Sequence, residues 1–237
     1  MGHRPATDRY GFRYRGGENT RIEAFTDAAF AFAVTLLMIG GGHVPNSVGE
    51  LMHALTGLPG YAASFALLCL FWYAHYTWYR HYGIEDGRSV VLSLLLVVLV
   101  LIYVYPLHMM FNAVISLGSD SASSRSPRDW RKMYEIFGIA YASMSAVILL
   151  FYLYALRLRD ELSLDAAEIA VTRSGVARWA VQAGIGAFSA VLAATLLPDT
   201  PSWLDALPGF AYWLIAVASI FRRRNLQRRL SLIRPAA

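Results

Sequence analysis

Arg21, Glu23 and Asp27 stand at the head of the stretch RIEAFTDAAFAFAVTLLMI, residues 21–39, whose remaining length is apolar. A carboxylate inside an apolar helix is costly, so it faces protein or water, has a partner, and marks a place where ions or protons are handled. The plainer reading is an interfacial salt bridge plus acidic groups favoured by the positive end of the helix dipole. Asp27 lies more than a turn inside Arg21, which favours the first reading for Asp27.

The rest of the chain offers little other chemistry. Cys69 is the single cysteine, so neither a disulfide nor a cysteine metal site forms within one chain. The six histidines have no HxxxH or HExxH spacing, and no GxSxG, Walker or GxGxxG motif occurs. Gly40, Gly41 and Gly42 read as a helix end rather than an anion cradle. The expectation is a protein that is not an enzyme and has no cofactor and no bound metal.

The elements that must position these residues are set by the solvent. The 237 residues are 57% hydrophobic and 16% charged, with mean hydropathy +0.42, too apolar for an ordinary soluble domain. Several runs approach the roughly 20 residues that cross about 30 Å of hydrocarbon. An all-α, polytopic membrane fold with six transmembrane helices is expected. The spans are Ala24–Ile39, Tyr61–Tyr79, Val90–Met110, Tyr134–Leu156, Trp179–Leu197 and Leu207–Phe221. Asp160, Glu161, Asp165 and Glu168 suit a solvated connection between the fourth and fifth.

The basic residues orient the spans. With the N-terminus inside, the inner segments hold Arg4, Arg9, Arg13, Arg15 and Arg21, then Arg80 and Arg88, then Arg157, Arg159, Arg173 and Arg178, then six arginines from Arg222 to Arg234. These are 17 of the 21 Lys and Arg, against four in the third-to-fourth connection. Both termini are expected in the cytoplasm of a multi-pass protein of the inner (plasma) membrane. A basic tail at 1–20, a six-helix domain at 21–221 and a second basic tail at 222–237 follow. A secretory signal peptide fits poorly, because Asp27 would interrupt its apolar region. The C-terminal arginines point to anionic membrane lipid rather than nucleic acid.

On the first helix, Phe32, Leu36 and Ile39 recur at i, i+4 and i+7, with Thr35 beside them and Ala28 and Ala29 extending the stripe. Such a stripe serves as a packing face or as the lining of a passage.

Arg21, Phe25, Thr26 and Asp27 spell R-x-x-x-F-T-D, which resembles the R-x-x-x-F-S-D signature of the transmembrane protein 175 family of potassium channels, with Thr for Ser. Trp72 and His75 resemble the tryptophan and histidine of that family's second helix, and Tyr105-Pro106 resembles its third-helix proline. The resemblance implies a homotetramer conducting potassium passively through a pore lined by the four first helices. Hydrophobic constrictions would fall on Phe32, Leu36 and Ile39, with a pore-side threonine at Thr35, in place of a T-V-G-Y-G filter. Arg21, Phe25, Thr26 and Asp27 would form a polar network holding that helix. Phe32 departs from the family's usual Ile or Leu, and His75-Tyr76 from its paired histidines. The alternative is a proton-coupled membrane transporter in which Asp27 titrates.

The arginine count predicts that a cysteine placed at Ser121, in the outer connection, reacts with an impermeant maleimide in intact cells. Reaction only after lysis overturns this topology.

Overall fold

The computed structural model describes residues 7–8, 10–39, 46–115, 126–196 and 207–233. Among the described residues it is all-α, with eight helices: α1 (Arg21–Ile39), α2 (Val48–Thr56), α3 (Leu58–Tyr82), α4 (Gly87–Ile115), α5 (Pro127–Arg157), α6 (Ala166–Thr195), α7 (Leu207–Phe210) and α8 (Trp213–Ile233). Local sequence sets most of the starts. Thr20 and Glu23 cap α1 reciprocally, the Glu23 N–H donating to Thr20 Oγ1 at 3.2 Å and the Thr20 N–H to Glu23 Oε2 at 2.9 Å. Ser126–Asp129 and Asp165–Glu168 are capping boxes for α5 and α6. Gly83, at φ 59°, closes α3 in the left-handed region, where a side chain is strained.

Among the described residues three helices are long and apolar enough to cross a membrane: Gly87–Ile115, Arg128–Arg157 and Ala166–Thr195. They contain the third and fourth expected spans and nearly all of the fifth, whose expected last residue, Leu197, lies outside the described residues. Helices α2 and α3, bent by 47° at their junction, make a fourth if they act as one span. The count of six is therefore an expectation beyond these four. The first expected span is α1, with charges in its opening turns. The sixth divides: α7 ends at Phe210, and α8 then runs from Trp213 through Arg222, Arg223 and Arg224 to Ile233 without interruption. The segment after Phe221, expected as a tail, is the second half of a helix.

The outer faces are apolar. On α4, Val91, Leu94, Val98, Ile102, Tyr105 and Met109 are exposed at i, i+3, i+4 and i+7 spacings, a face suited to lipid. Inside, Phe71, Trp78, Tyr79, Phe151 and Trp179 are almost wholly buried. The Trp78 indole N–H donates to the Phe151 carbonyl at 2.8 Å, so the ring's one polar atom is satisfied.

The stretch ahead of α1 is built into this body. Phe12 is fully buried and stacks on His81 at 4.4 Å. Its neighbours Arg13 and Arg15 both grip Glu168, with Nη2 to Oε2 distances of 2.8 and 2.7 Å. The expectation of a solvated Glu168 is thus overturned: the residue is 1% exposed. The reason is charge. Two guanidiniums, each making further bonds to Oε1 at 3.0 and 3.1 Å, replace the water that the carboxylate loses.

Helices α5 and α6 approach closely at Gly138 and Gly186. A Cβ on Gly138 would lie 2.7 Å from the Gly186 carbonyl oxygen and 2.8 Å from the Ala190 nitrogen. Gly138→Leu is expected to lower stability in detergent by about 1–3 kcal/mol through overpacking. Gly184→Ala, which meets nothing within 4 Å, is expected to be neutral or stabilising. Thermal unfolding followed by tryptophan fluorescence checks both, and equal melting of the two variants contradicts the close contact.

Candidate pore helix and its anchors

Helix α1 packs one face on α3 and α4. Glu23, Thr26, Phe30, Ala33 and Leu37 are buried there, an i, i+3, i+7 series along one side. The opposite face carries Phe25, Ala28, Phe32, Thr35 and Met38, all exposed. Phe32 is 55% exposed and Met38 62%. Of the expected stripe, Phe32 and Thr35 therefore point away from the body of the subunit, and Leu36 sits half-buried at its edge. The side chain of Ile39 lies outside the described residues. The Thr35 hydroxyl donates to the Ala31 carbonyl at 3.1 Å.

Two contacts fix the rotation of this helix. The Trp72 indole N–H, on α3, donates to Asp27 Oδ1 at 2.7 Å, and the Trp72 ring stacks on Tyr76 with centroids 5.7 Å apart. One turn earlier, Glu23 lies 3.7 Å from Arg80 Nη2. Arg80 also donates to the carbonyls of Gly16 and Gly17 and to Asn19 Oδ1. Its own carbonyl accepts from the N–H groups of Arg15 and Gly16, both at 3.1 Å. Arg80 thereby clasps the connection into α1 and the first turn of α1 together.

The four signature residues do not join into one network. Arg21 is exposed and makes no hydrogen bond or ion pair among the described residues. Six positions apart on a helix, Arg21 and Asp27 are about 9 Å apart along the axis and point in different directions, so they cannot pair directly. Thr26 is fully buried, with no partner for its hydroxyl among the described residues, and Phe25 is exposed. Glu23 and Arg80, read from sequence only as an interfacial charge and a topology charge, carry the ionic anchor. The signal for Glu23 was present in the capping pattern Thr20-x-x-Glu23.

His75 packs between α3 and its neighbours α4 and α5. It is 1% exposed, and its Nε2 lies 2.9 Å from Ser93 Oγ on α4, an oxygen that Tyr79 also reaches at 3.1 Å. The Ser93 hydroxyl gives its proton to the Ser89 carbonyl at 2.9 Å. The His75 ring nitrogen and the Tyr79 hydroxyl share the Ser93 oxygen. The imidazole is thus a hydrogen-bonded packing group between α3 and α4, edge-on to Phe151 at 5.6 Å. Among the described residues no three His, Cys, Asp or Glu side chains are placed to share a metal ion.

Removing one member of a half-buried polar pair leaves the other partly unsatisfied, at about 1 kcal/mol and up to about 3 for a group fully out of water. Asp27→Ala and Trp72→Phe are each expected to lose about that much stability in detergent, and the double variant less than their sum. Arg21→Ala is expected to melt like the parent. Loss in Arg21→Ala equal to that in Asp27→Ala contradicts the observed pairing.

Known proteins resemble the chain in sequence and in fold. Residues 21–106, from the arginine of R-x-x-x-F-T-D to Pro106, match the family model described as endosomal/lysosomal potassium channel TMEM175. A potassium channel of Marivirga tractuosa is 26% identical over 224 residues, spanning 90% of this chain and 90% of that protein. A potassium channel of Streptomyces collinus is 34% identical over 99 residues, 39% of this chain and 48% of that protein. The fold matches a crystal structure of a variant of the potassium channel MtTMEM175 in complex with a nanobody–MBP fusion, with a TM-score of 0.81 at 24% identity, covering 94% of this chain and 100% of that one. That likeness speaks to the fold alone. The sequence matches go further than the fold: residues 21–106 are similar to the TMEM175 family, and the two relatives, one at 26% identity and one over 39% of this chain, are potassium channels.

Proposed function

We propose that the chain is one subunit of a homotetrameric channel that passes potassium ions down their gradient, with the outward face of α1 lining the pore. The single observation that carries this reading is the exposed row Phe25, Ala28, Phe32 and Thr35 on the helix that bears the family signature. One subunit cannot enclose a pore with a convex helix face; several copies set around an axis can. The row has one hydroxyl, and Thr35 spends its proton on its own backbone. An ion passing it therefore finds no ring of carbonyl ligands and must keep part of its hydration shell. A hydrophobic constriction gates such a passage by dewetting. Phenyl rings at Phe32 narrow it more than branched aliphatic side chains do.

Convergence of the arginines supports both termini lying on one side, which we take as cytoplasmic. Arg13 and Arg15 meet Glu168 at the start of α6, Arg80 ends α3, and Arg222 on α8 donates to Ser174 at 3.0 Å. The transporter alternative needs an Asp27 free to exchange protons with the passage. Asp27 is instead half-buried and held by Trp72, which favours the passive channel.

Flux into liposomes tests the assignment. Purified protein is expected to carry potassium passively. Phe32→Ala is expected to raise the rate and weaken discrimination against sodium, by about tenfold for each ~1.4 kcal/mol taken from the barrier. Phe32→Ile is expected to fall between. Folded Phe32→Ala protein with unchanged rate and selectivity would falsify a pore-lining role for Phe32.

A further inference from the structure

Where the N-terminal segment meets α3, α6 and α8, the subunit holds a cavity of about 1020 Å³. Arg178 and Ser174 line it from α6, Arg222 and Arg223 from α8, and Arg80 from α3. Among its described lining residues the one carboxylate is Asp8, and Asp8 is committed. It accepts from the N–H groups of Tyr10 and Phe12 at 2.8 Å each, and lies 3.5 Å from His81 Nε2. The arginines of α6 and α8 thus converge without a counter-anion. Arg222 is half-buried and gives Nη1 to the neutral Ser174 hydroxyl, and the Arg178 guanidinium lies 4.9 Å over the Trp179 ring. Neither forms an ion pair among the described residues. Burial, and after it the nearby charge of Arg178, pushes the Arg222 guanidinium below its ordinary value. On the α3 wall, Thr77 Oγ1 and Arg80 Nε are buried with no hydrogen-bond partner among the described residues.

Unneutralised cations and unpaired polar atoms in a partly enclosed space favour a bound anion, and guanidinium forks fit phosphate oxygens. The rest of the lining sets a second requirement. Leu70, Val181 and Ile215 give the cavity an apolar side, which a small soluble anion leaves exposed. Arg222 directly follows the apolar half of α8, where headgroup phosphates lie beside a spanning helix. We propose that this cavity is a binding site for one anionic phospholipid, its phosphate on Arg178 and Arg222 and its acyl chains along Leu70, Val181 and Ile215. The site is separate from the outward face of α1 and does not depend on the pore assignment.

Purified protein in mild detergent, titrated with phosphatidylglycerol and followed by melting temperature and native mass spectrometry, tests the site. Phosphatidylglycerol is expected to raise the melting temperature and to be retained at one per subunit. Phosphatidylcholine with the same chains, and inorganic phosphate at equal phosphate concentration, are expected to do neither. Arg178→Gln and Arg222→Gln are each expected to weaken the phosphatidylglycerol response by about tenfold, and Arg222→Lys by less. Arg228→Gln, on an exposed stretch of the same helix, is expected to respond like the parent. If inorganic phosphate reproduces the full shift, the site is a plain anion site and the lipid assignment fails. Equal weakening by Arg228→Gln reduces the effect to general charge attraction. Loss of subunit association in Arg222→Gln without any lipid shows that a second copy fills the cavity, and overturns the proposal.

Discussion

The hydrogen bond from the Trp72 indole to Asp27 settles how the first helix is turned. A carboxylate at that depth needs a donor, and an indole N–H supplies one without adding a second charge. Because Trp72 is itself stacked on Tyr76, the donor stands on a fixed platform. The Glu23–Arg80 contact, about a turn away along α1, makes a second point of attachment. Two points on one side of a helix fix its rotation as a hinge with two pins does. The identity of the outward residues follows: a rotation of roughly one residue step, about 100°, would bring Phe30 or Leu37 toward the outside and turn Phe32 toward the body.

The frame behind that helix is made stiff by different means. Buried aromatics fill the centre, and the glycine pair at 138 and 186 lets α5 and α6 touch backbone to backbone. In a solvent as apolar as the side chains themselves, close van der Waals contact between small residues takes over the role that hydrophobic burial has in water. Some polar groups inside are satisfied by a single partner, Trp78 by a carbonyl and His75 by a serine. Thr26 is the exception among the signature residues, buried and without a partner among the described residues.

Much of this was legible in the sequence, and what was missed has a common cause. Long apolar runs gave the helices of the third and fourth spans, because length and lack of charge need no tertiary information. The stripe through Phe32 was legible for the same reason, since periodicity alone separates two faces of a helix. Which face turns outward was not, because packing decides it. The partners of charged residues were equally hidden. Asp27 was expected beside Arg21, its near neighbour in sequence, and instead meets a residue on another helix, while Glu168, taken for a solvated acid, is gripped from the far end of the chain. The break between α7 and α8 had one mark in the sequence, the Pro208-Gly209 pair just ahead of it, amid apolar residues that continue across it.

The clasp on Glu168 has a consequence for how the protein is made. Arg13 and Glu168 are separated by 155 positions, so the N-terminal segment emerges early and waits through the synthesis of α1 to α5 before its carboxylate partner exists. A nascent or truncated chain that stops short of α6 can seat the Phe12 ring on His81 of α3 but leaves the Arg13 and Arg15 guanidiniums without their carboxylate. Closure of the clasp therefore waits for α6, and until that helix is in place the segment is held only by its contacts with α3.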